Sequence, residues 1–194
     1  MQRRKFFAYT LPLAAGAMLA SRRAAAQSAQ QPCVPLRTAD VVYEPTPLAV
    51  VDTLLAAANV GPKDVVYDLG CGDGRFVVAA AKRGAKGIGF DLNHNLVEWA
   101  IANALAERVD ARVKFEARDL FTVDMSPASV VTLYLLPELN LRLRTKLWRE
   151  LAVGSRVVSN AFDMGDWAPD RSFDVPTRFR RAFLWTIKPE HKRA

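Results

Sequence analysis

The sequence predicts an α/β fold: a single domain on a doubly wound, mostly parallel sheet with an antiparallel C-terminal edge. Three observations predict it. Short apolar runs alternate with segments of helical periodicity from residue 48 to residue 159, and strands that take turns with helices form a parallel sheet covered on both faces. Two β segments near the C terminus have no helix between them, which suits a hairpin at one edge. A chain of 194 residues has the length of one domain.

The elements follow in order. Pro45 and Pro47 punctuate the start of a helix, with Thr46 as its expected N-cap; Leu48, Val51, Leu54 and Leu55 recur at helical spacing. Gly61-Pro62 ends it. Residues 64–69 are a short apolar run between turn residues, hence a buried strand. Residues 75–83 make a small-residue helix with Gly84 as C-cap, residues 87–91 a second strand, and residues 95–108 a long helix. Residues 111–116 alternate as a third strand. A fourth strand (129–136), a helix (138–151) and a fifth strand (155–159) complete the alternation, and residues 177–187 pair with 172–175. Trp99, Trp148 and Trp185 are expected in the core, and Arg142, Arg144, Lys146 and Arg149 on a solvated helix face.

The charge divides into two parts. The chain carries 27 Lys and Arg against 20 Asp and Glu, a net +7. Five of these bases, Arg3, Arg4, Lys5, Arg22 and Arg23, fall in residues 1–26, which hold no acid. The remainder has 22 bases against 20 acids, too even a balance for a nucleic-acid binder. Residues 1–26 read as a signal peptide: a charged start, a short apolar stretch from Phe6 to Ala20, and Ala24-Ala25-Ala26 as a small-residue cleavage site. Arg3-Arg4-Lys5-Phe6-Phe7 resembles the twin-arginine export signal, which implies an exported, periplasmic protein. The alternative is an uncleaved anchor that ties the chain to a membrane facing the cytoplasm, although the stretch is short for a span. Residues 27–42 form a Gln/Pro/Ala-rich linker, 43–188 the folded domain and 189–194 a basic tail containing His191. Cys33 and Cys71 are too few for a disulfide framework, and no metal-ligand spacing accompanies them.

The chemistry concentrates in Asp68-Leu69-Gly70-Cys71-Gly72-Asp73-Gly74, directly after the first strand. Open parallel sheets bind ligands at the carboxyl ends of their strands, where strand order reverses. Gly70 and Gly72 permit backbone angles closed to other residues and let a ligand approach the chain. The helix starting near Gly74 offers free amides to a carboxylate. A dinucleotide fingerprint, G-x-G-x-x-G, would need a glycine where Arg75 stands. Asp91 ends the second strand, 21 residues beyond Gly70, where an acid accepts ribose hydroxyls. Asp119 follows the third strand. Three acids at three successive strand ends form one constellation.

That constellation resembles motif I and its companions in class I S-adenosylmethionine-dependent methyltransferases. The resemblance implies a seven-stranded Rossmann-like sheet and S-adenosyl-L-methionine as cofactor. It assigns cofactor binding to Tyr43, Asp68, Gly70, Cys71, Gly72, Asp73, Asp91, Leu92, Asp119 and Leu120, with Asp119 facing the adenine amine and Leu120 packing on the ring. Tyr43-Glu44-Pro45-Thr46-Pro47 would close over the methionine part. The longer pattern, including Gly154-Ser155-Arg156-Val157-Val158-Ser159-Asn160-Ala161-Phe162 and Trp167-Ala168-Pro169-Asp170, resembles the family of lysine methyltransferases that modify the mitochondrial ATP-synthase c ring protein and, more distantly, the Dot1-like histone lysine enzymes.

The resemblance therefore implies N-methylation of a protein lysine or related amine. DNA amino-methyltransferases carry Asp/Asn-Pro-Pro-Tyr/Phe after the fourth strand; this chain has Leu133-Tyr134-Leu135-Leu136-Pro137. Tyr134, Leu136, Pro137, Asn160 and Phe162 are expected on the acceptor side, with Tyr134 and Asn160 hydrogen-bonding the nucleophile. The alternatives are a small-molecule methyltransferase and an exported non-catalytic protein that keeps the fold.

Overall fold

Residues 43–193 are described by a computed structural model, so the leader and linker expectations on residues 1–42 lie outside the described residues. The β segments assemble into one seven-stranded sheet: β1 (Val65–Leu69), β2 (Lys86–Asp91), β3 (Val113–Ala117), β4 (Val130–Leu133), β5 (Arg156–Asn160), β6 (Arg171–Asp174) and β7 (Arg181–Thr186). Their order is β3-β2-β1-β4-β5-β7-β6. The first five pair in parallel; β7 runs antiparallel to β5, and β6 to β7. The expected doubly wound sheet and its antiparallel edge are both present.

The two-residue period of a strand sorts side chains between two cores. Tyr67, Leu69, Val131, Leu133, Phe183 and Trp185 join one apolar layer with Leu143 and Leu147 of α4 (Pro137–Glu150). Val66, Val130, Val158, Ala182 and Leu184 join the other, under α1 (Leu48–Ala57) and α2 (Arg75–Lys82). The remaining helix, α3 (His94–Ala106), packs beside β2 and β3. Asn93 caps it by accepting a 3.0 Å bond from Asn95 N, as an N-cap Asn does.

Several local expectations give way. Thr46 does not cap α1; Pro47 holds that position, and Thr46 is buried, accepting a hydrogen bond from Asn160. Leu48 is 64% exposed, and Val50 takes its place in the core. Trp99 is 52% exposed and meets Tyr43 edge-on at 6.2 Å instead of entering the core. Arg144 and Lys146 are not free in solvent: Arg144 donates to Met164 O and Asp166, and Lys146 pairs with Glu150. The basic tail is docked. A 3-10 turn, Pro189–Arg193, stacks His191 on Trp148 at 5.2 Å, and Lys192 caps the carbonyls that end α4. Among the described residues, no helix is long and apolar enough to cross a membrane.

Candidate functional site

Strand order reverses at β1, with β2 on one side and β4 on the other, and a cleft opens there at the carboxyl ends of the strands, the place where an open α/β sheet takes its ligand. Residues 70–74 turn from β1 into α2 across its floor. Gly70 and Cys71 both donate to Phe90 O, at 2.8 and 3.0 Å, so the loop is pinned to the end of β2. Gly72 stands at φ +52°, and a Cβ there would lie 2.4 Å from the Tyr43 ring. Backbone angle and close approach both demand glycine.

Asp91 receives Gly72 N on one carboxylate oxygen and Asn93 N on the other, each at 2.9 Å. A carboxylate oxygen has two lone pairs, so both retain capacity for hydroxyls. Asp68 is 3% exposed and accepts a 2.6 Å bond from Thr132. Burial pushes its carboxyl up to about 7; the Thr132 bond opposes that shift, and Asp91 and Asp73 add to it. Burial likewise raises the Cys71 thiol above its usual range, which makes it an inert wall residue rather than a nucleophile.

Arg75 braces the opening. Its guanidinium grips Asp73 through two bonds of 2.8 and 2.5 Å, donates to Thr46 O at 2.6 Å and reaches the Tyr43 hydroxyl at 3.4 Å. Burial alone would raise the Asp73 carboxyl, but the bonds and charge of Arg75 outweigh it and hold it below the usual range. Burial, then Asp73, raises the Tyr43 phenol. One side chain thus ties the segment before α1 to the glycine loop.

Nine of the ten residues expected to hold the cofactor line the cleft: Tyr43, Asp68, Gly70, Cys71 and Gly72 with Asp73, Asp91, Leu92 and Leu120. Asp119 does not. Its Oδ1 accepts a 2.9 Å bond from Phe121 N and caps the turn Leu120–Thr122, while its neighbours Arg118 and Leu120 face the cleft. Tyr134 lines the cleft at the end of β4 and stacks on Phe162, centroids 6.3 Å apart. Asn160 does not line it. It is 1% exposed and donates to Thr46 Oγ1 at 3.4 Å, so it supports a wall residue rather than touching a nucleophile. The stretch Tyr43-Glu44-Pro45-Thr46, expected over the methionine part, does line the cleft, whereas sequence reasoning missed Arg75, Arg118, Leu135 and Leu139 as lining residues. Leu135 and Leu139 carried only a packing signal, and Arg75 was read merely as a missing glycine.

The donor set fits S-adenosylmethionine. Three acids, Asp68, Asp73 and Asp91, line the cleft, and S-adenosylmethionine carries an amino group, a sulfonium and ribose hydroxyls that acids of this kind can hold. Leu92, Leu96, Leu120 and Leu135 line the same cleft and offer the apolar surface that an adenine ring needs. Fold and site together define a class I S-adenosylmethionine-dependent methyltransferase. A family model described as ANTKMT methyltransferase domain matches residues 68–171, and the chain belongs to that family. It is 43% identical over 137 residues to a protein-lysine N-methyltransferase of Saccharolobus islandicus, covering 70% of this chain and 85% of the relative. It is 41% identical over 105 residues to the human lysine N-methyltransferase named for the c-subunit of ATP synthase, covering 54% of this chain and 45% of that protein. The chain thus spans less than half of the human relative. A Salinibacter ruber structure described as an RNA methyltransferase, with S-adenosyl-L-homocysteine bound, superposes with a TM-score of 0.73 at 47% identity, over 75% of this chain and 95% of the other.

Proposed function

We propose that the chain methylates the side-chain amine of a protein lysine. The observation that carries this reading is the aromatic wall beside the cofactor cleft: Tyr134 faces the cleft and lies parallel to Phe162, a surface that takes an aliphatic stem and a cationic head. Two relatives named as lysine N-methyltransferases support it. When bound, S-adenosylmethionine supplies an electrophilic methyl group on a sulfonium. The protein's part is alignment and exclusion of water. Asp91 and Leu120 hold the nucleoside, Asp68 and Asp73 the cationic end, and Arg75 fixes Tyr43 and Thr46 across them. Such positioning contributes roughly 7–11 kcal/mol of barrier lowering in well-aligned transfers. A lysine ammonium must first release a proton to water, and loss of hydration as the amine passes from the mouth of the cleft toward the methyl donor favours its neutral form. Its lone pair would then form the new N–C bond as the S–C bond breaks, leaving a methylammonium on the acceptor and neutral S-adenosylhomocysteine as the departing thioether.

The Salinibacter ruber structure raises RNA as an acceptor. The 22 bases and 20 acids beyond residue 26 argue against it, because RNA binding draws on a basic surface. Labelled S-adenosylmethionine, incubated with the protein and with soluble and membrane fractions, separates the readings. Label recovered as methyl-lysine after acid hydrolysis supports this one; label in RNA or in small molecules overturns it.

We also propose, on the twin arginine and Ala24-Ala25-Ala26 alone, that residues 1–26 direct export. Twin-arginine export carries folded proteins, which would let the cofactor travel bound. Fractionation of cells expressing the chain and its Arg3→Lys/Arg4→Lys variant checks this; equal cytoplasmic retention of both would overturn it.

A further inference from the structure

Three aromatic rings from three elements meet beside the cleft. Tyr134 follows β4, Phe162 follows β5, and Phe179 lies in the turn between β6 and β7. Phe179 stands 5.0 Å from Phe162 and 6.4 Å from Tyr134, crossing both. A cation already sits on this cluster. The Arg178 guanidinium lies 4.6 Å over the Phe179 ring, and its Nη2 donates to Glu44 Oε2 at 2.6 Å. Glu44 lines the cleft together with Tyr134. Burial, then the charge of Glu44, raises the Tyr134 phenol, so the hydroxyl stays neutral and can donate.

A carboxylate and an aromatic face form a receptor for an organic cation. Here the chain fills that receptor with its own side chain. The occupant is inert as an acceptor, because a guanidinium does not lose its proton. It is also loosely held. The side chains of Arg178 and Glu44 are 67% and 47% exposed, and exposed ion pairs are weak. The turn that carries Arg178 closes on its own backbone, through Val175 N to Arg180 O at 3.1 Å and Arg180 N to Thr177 O at 3.1 Å. Arg178 can therefore swing away without unfolding the hairpin.

We propose that Glu44, Tyr134, Phe162 and Phe179 form the mouth that receives the acceptor's ammonium group, and that Arg178 is a stand-in cation which the acceptor displaces. The proposal rests on the lysine reading above. It names Glu44 as a specificity-determining residue and Arg178 as an internal competitor. A competitor that occupies the competent state lowers apparent affinity by the fraction it blocks. The acceptor KM should carry that cost, and kcat should not.

The test is initial-rate methyl transfer from labelled S-adenosylmethionine into a cell protein extract, counted as methyl-lysine, for the full chain and for Arg178→Ala, Glu44→Gln and the double variant. Arg178→Ala should raise the rate at limiting extract about two- to fivefold, the gain left by removing a weak exposed pair, and should leave the rate at saturating extract unchanged. Glu44→Gln should lower the rate at limiting extract. In the Glu44→Gln background, Arg178→Ala should give no gain, because the competitor's anchor is already gone. Methyl-lysine from the wild type with no gain in Arg178→Ala, or an equal gain in both backgrounds, overturns this proposal alone. No methyl-lysine from the wild type overturns the lysine reading and this proposal with it.

Discussion

Asp68 lies at the end of β1 with Thr132 as hydroxyl donor and Asp91 and Asp73 as like-charged neighbours. With its carboxyl pushed up to about 7 from an ordinary 3.8, it is about half protonated at neutrality in the free protein, and increasingly so as pH falls. The folded-state value is raised, so its contribution to stability is present below the unfolded value and is lost as pH rises through about 7. A cationic ligand reverses this preference, because it favours the carboxylate. Cofactor affinity measured by calorimetry should therefore fall as pH drops below about 7, approaching about tenfold per pH unit. Asp68→Asn should flatten that profile and weaken binding above neutrality. Thr132→Val removes a bond that lowers the carboxyl and should move the break to higher pH. A break unmoved by both substitutions would assign it to another group. Asp119 spends one carboxylate oxygen on its own turn. An acid after a third strand suggests a base-facing group, yet its carboxylate is used locally to cap a turn, a competition that short polar side chains always offer.

At the scale of elements, the segment from Tyr43 to Pro47 and the loop from Gly70 to Gly74 work as one clamp through Arg75. Arg75→Ala should weaken cofactor binding about tenfold, roughly 1.4 kcal/mol, with the fold intact by circular dichroism. Arg75→Lys should restore only part of it, since an ammonium cannot reproduce a planar fork that reaches Asp73, Thr46 and Tyr43 together. Equal affinities in wild type and Arg75→Ala would remove the clamp from the account. The alternation of strands and helices was legible because its signals are local: a two-residue period in β3, a 3.6-residue period in α1 and a short apolar run in β1. The clamp was not. Thr46 reads as an N-cap in the sequence, but Pro47 takes that position and a partner 114 residues away, Asn160, holds the Thr46 hydroxyl inside. Trp99 was expected in the core by residue type, but α3 turns it outward to meet Tyr43.

For the whole molecule, the antiparallel edge closes the sheet and supports the acceptor wall. Trp185 of β7 is 0% exposed and donates its indole N–H to Trp167 O at 2.7 Å, between two further aromatic contacts. Trp185→Ala should cost about 3–5 kcal/mol in denaturant unfolding, and a loss under about 1 kcal/mol would show that the edge is not part of the core. The motifs at the ends of β1 and β2 announced the cofactor cleft, because a ligand constrains residue types at fixed places in a sheet. The acceptor wall was only half visible. Tyr134 and Phe162 could be named, whereas Phe179, Arg178 and Glu44 meet only because the β6–β7 turn returns beside the start of the domain. The ends of β1 and β2 together build the cleft for the methyl donor. Titration calorimetry with S-adenosyl-L-homocysteine on the wild type and on Asp91→Ala tests it most directly. Saturable binding by the wild type is expected, and at least about tenfold weaker binding after loss of a charged hydrogen-bond acceptor. No binding by the wild type, or equal binding by both, would contradict it.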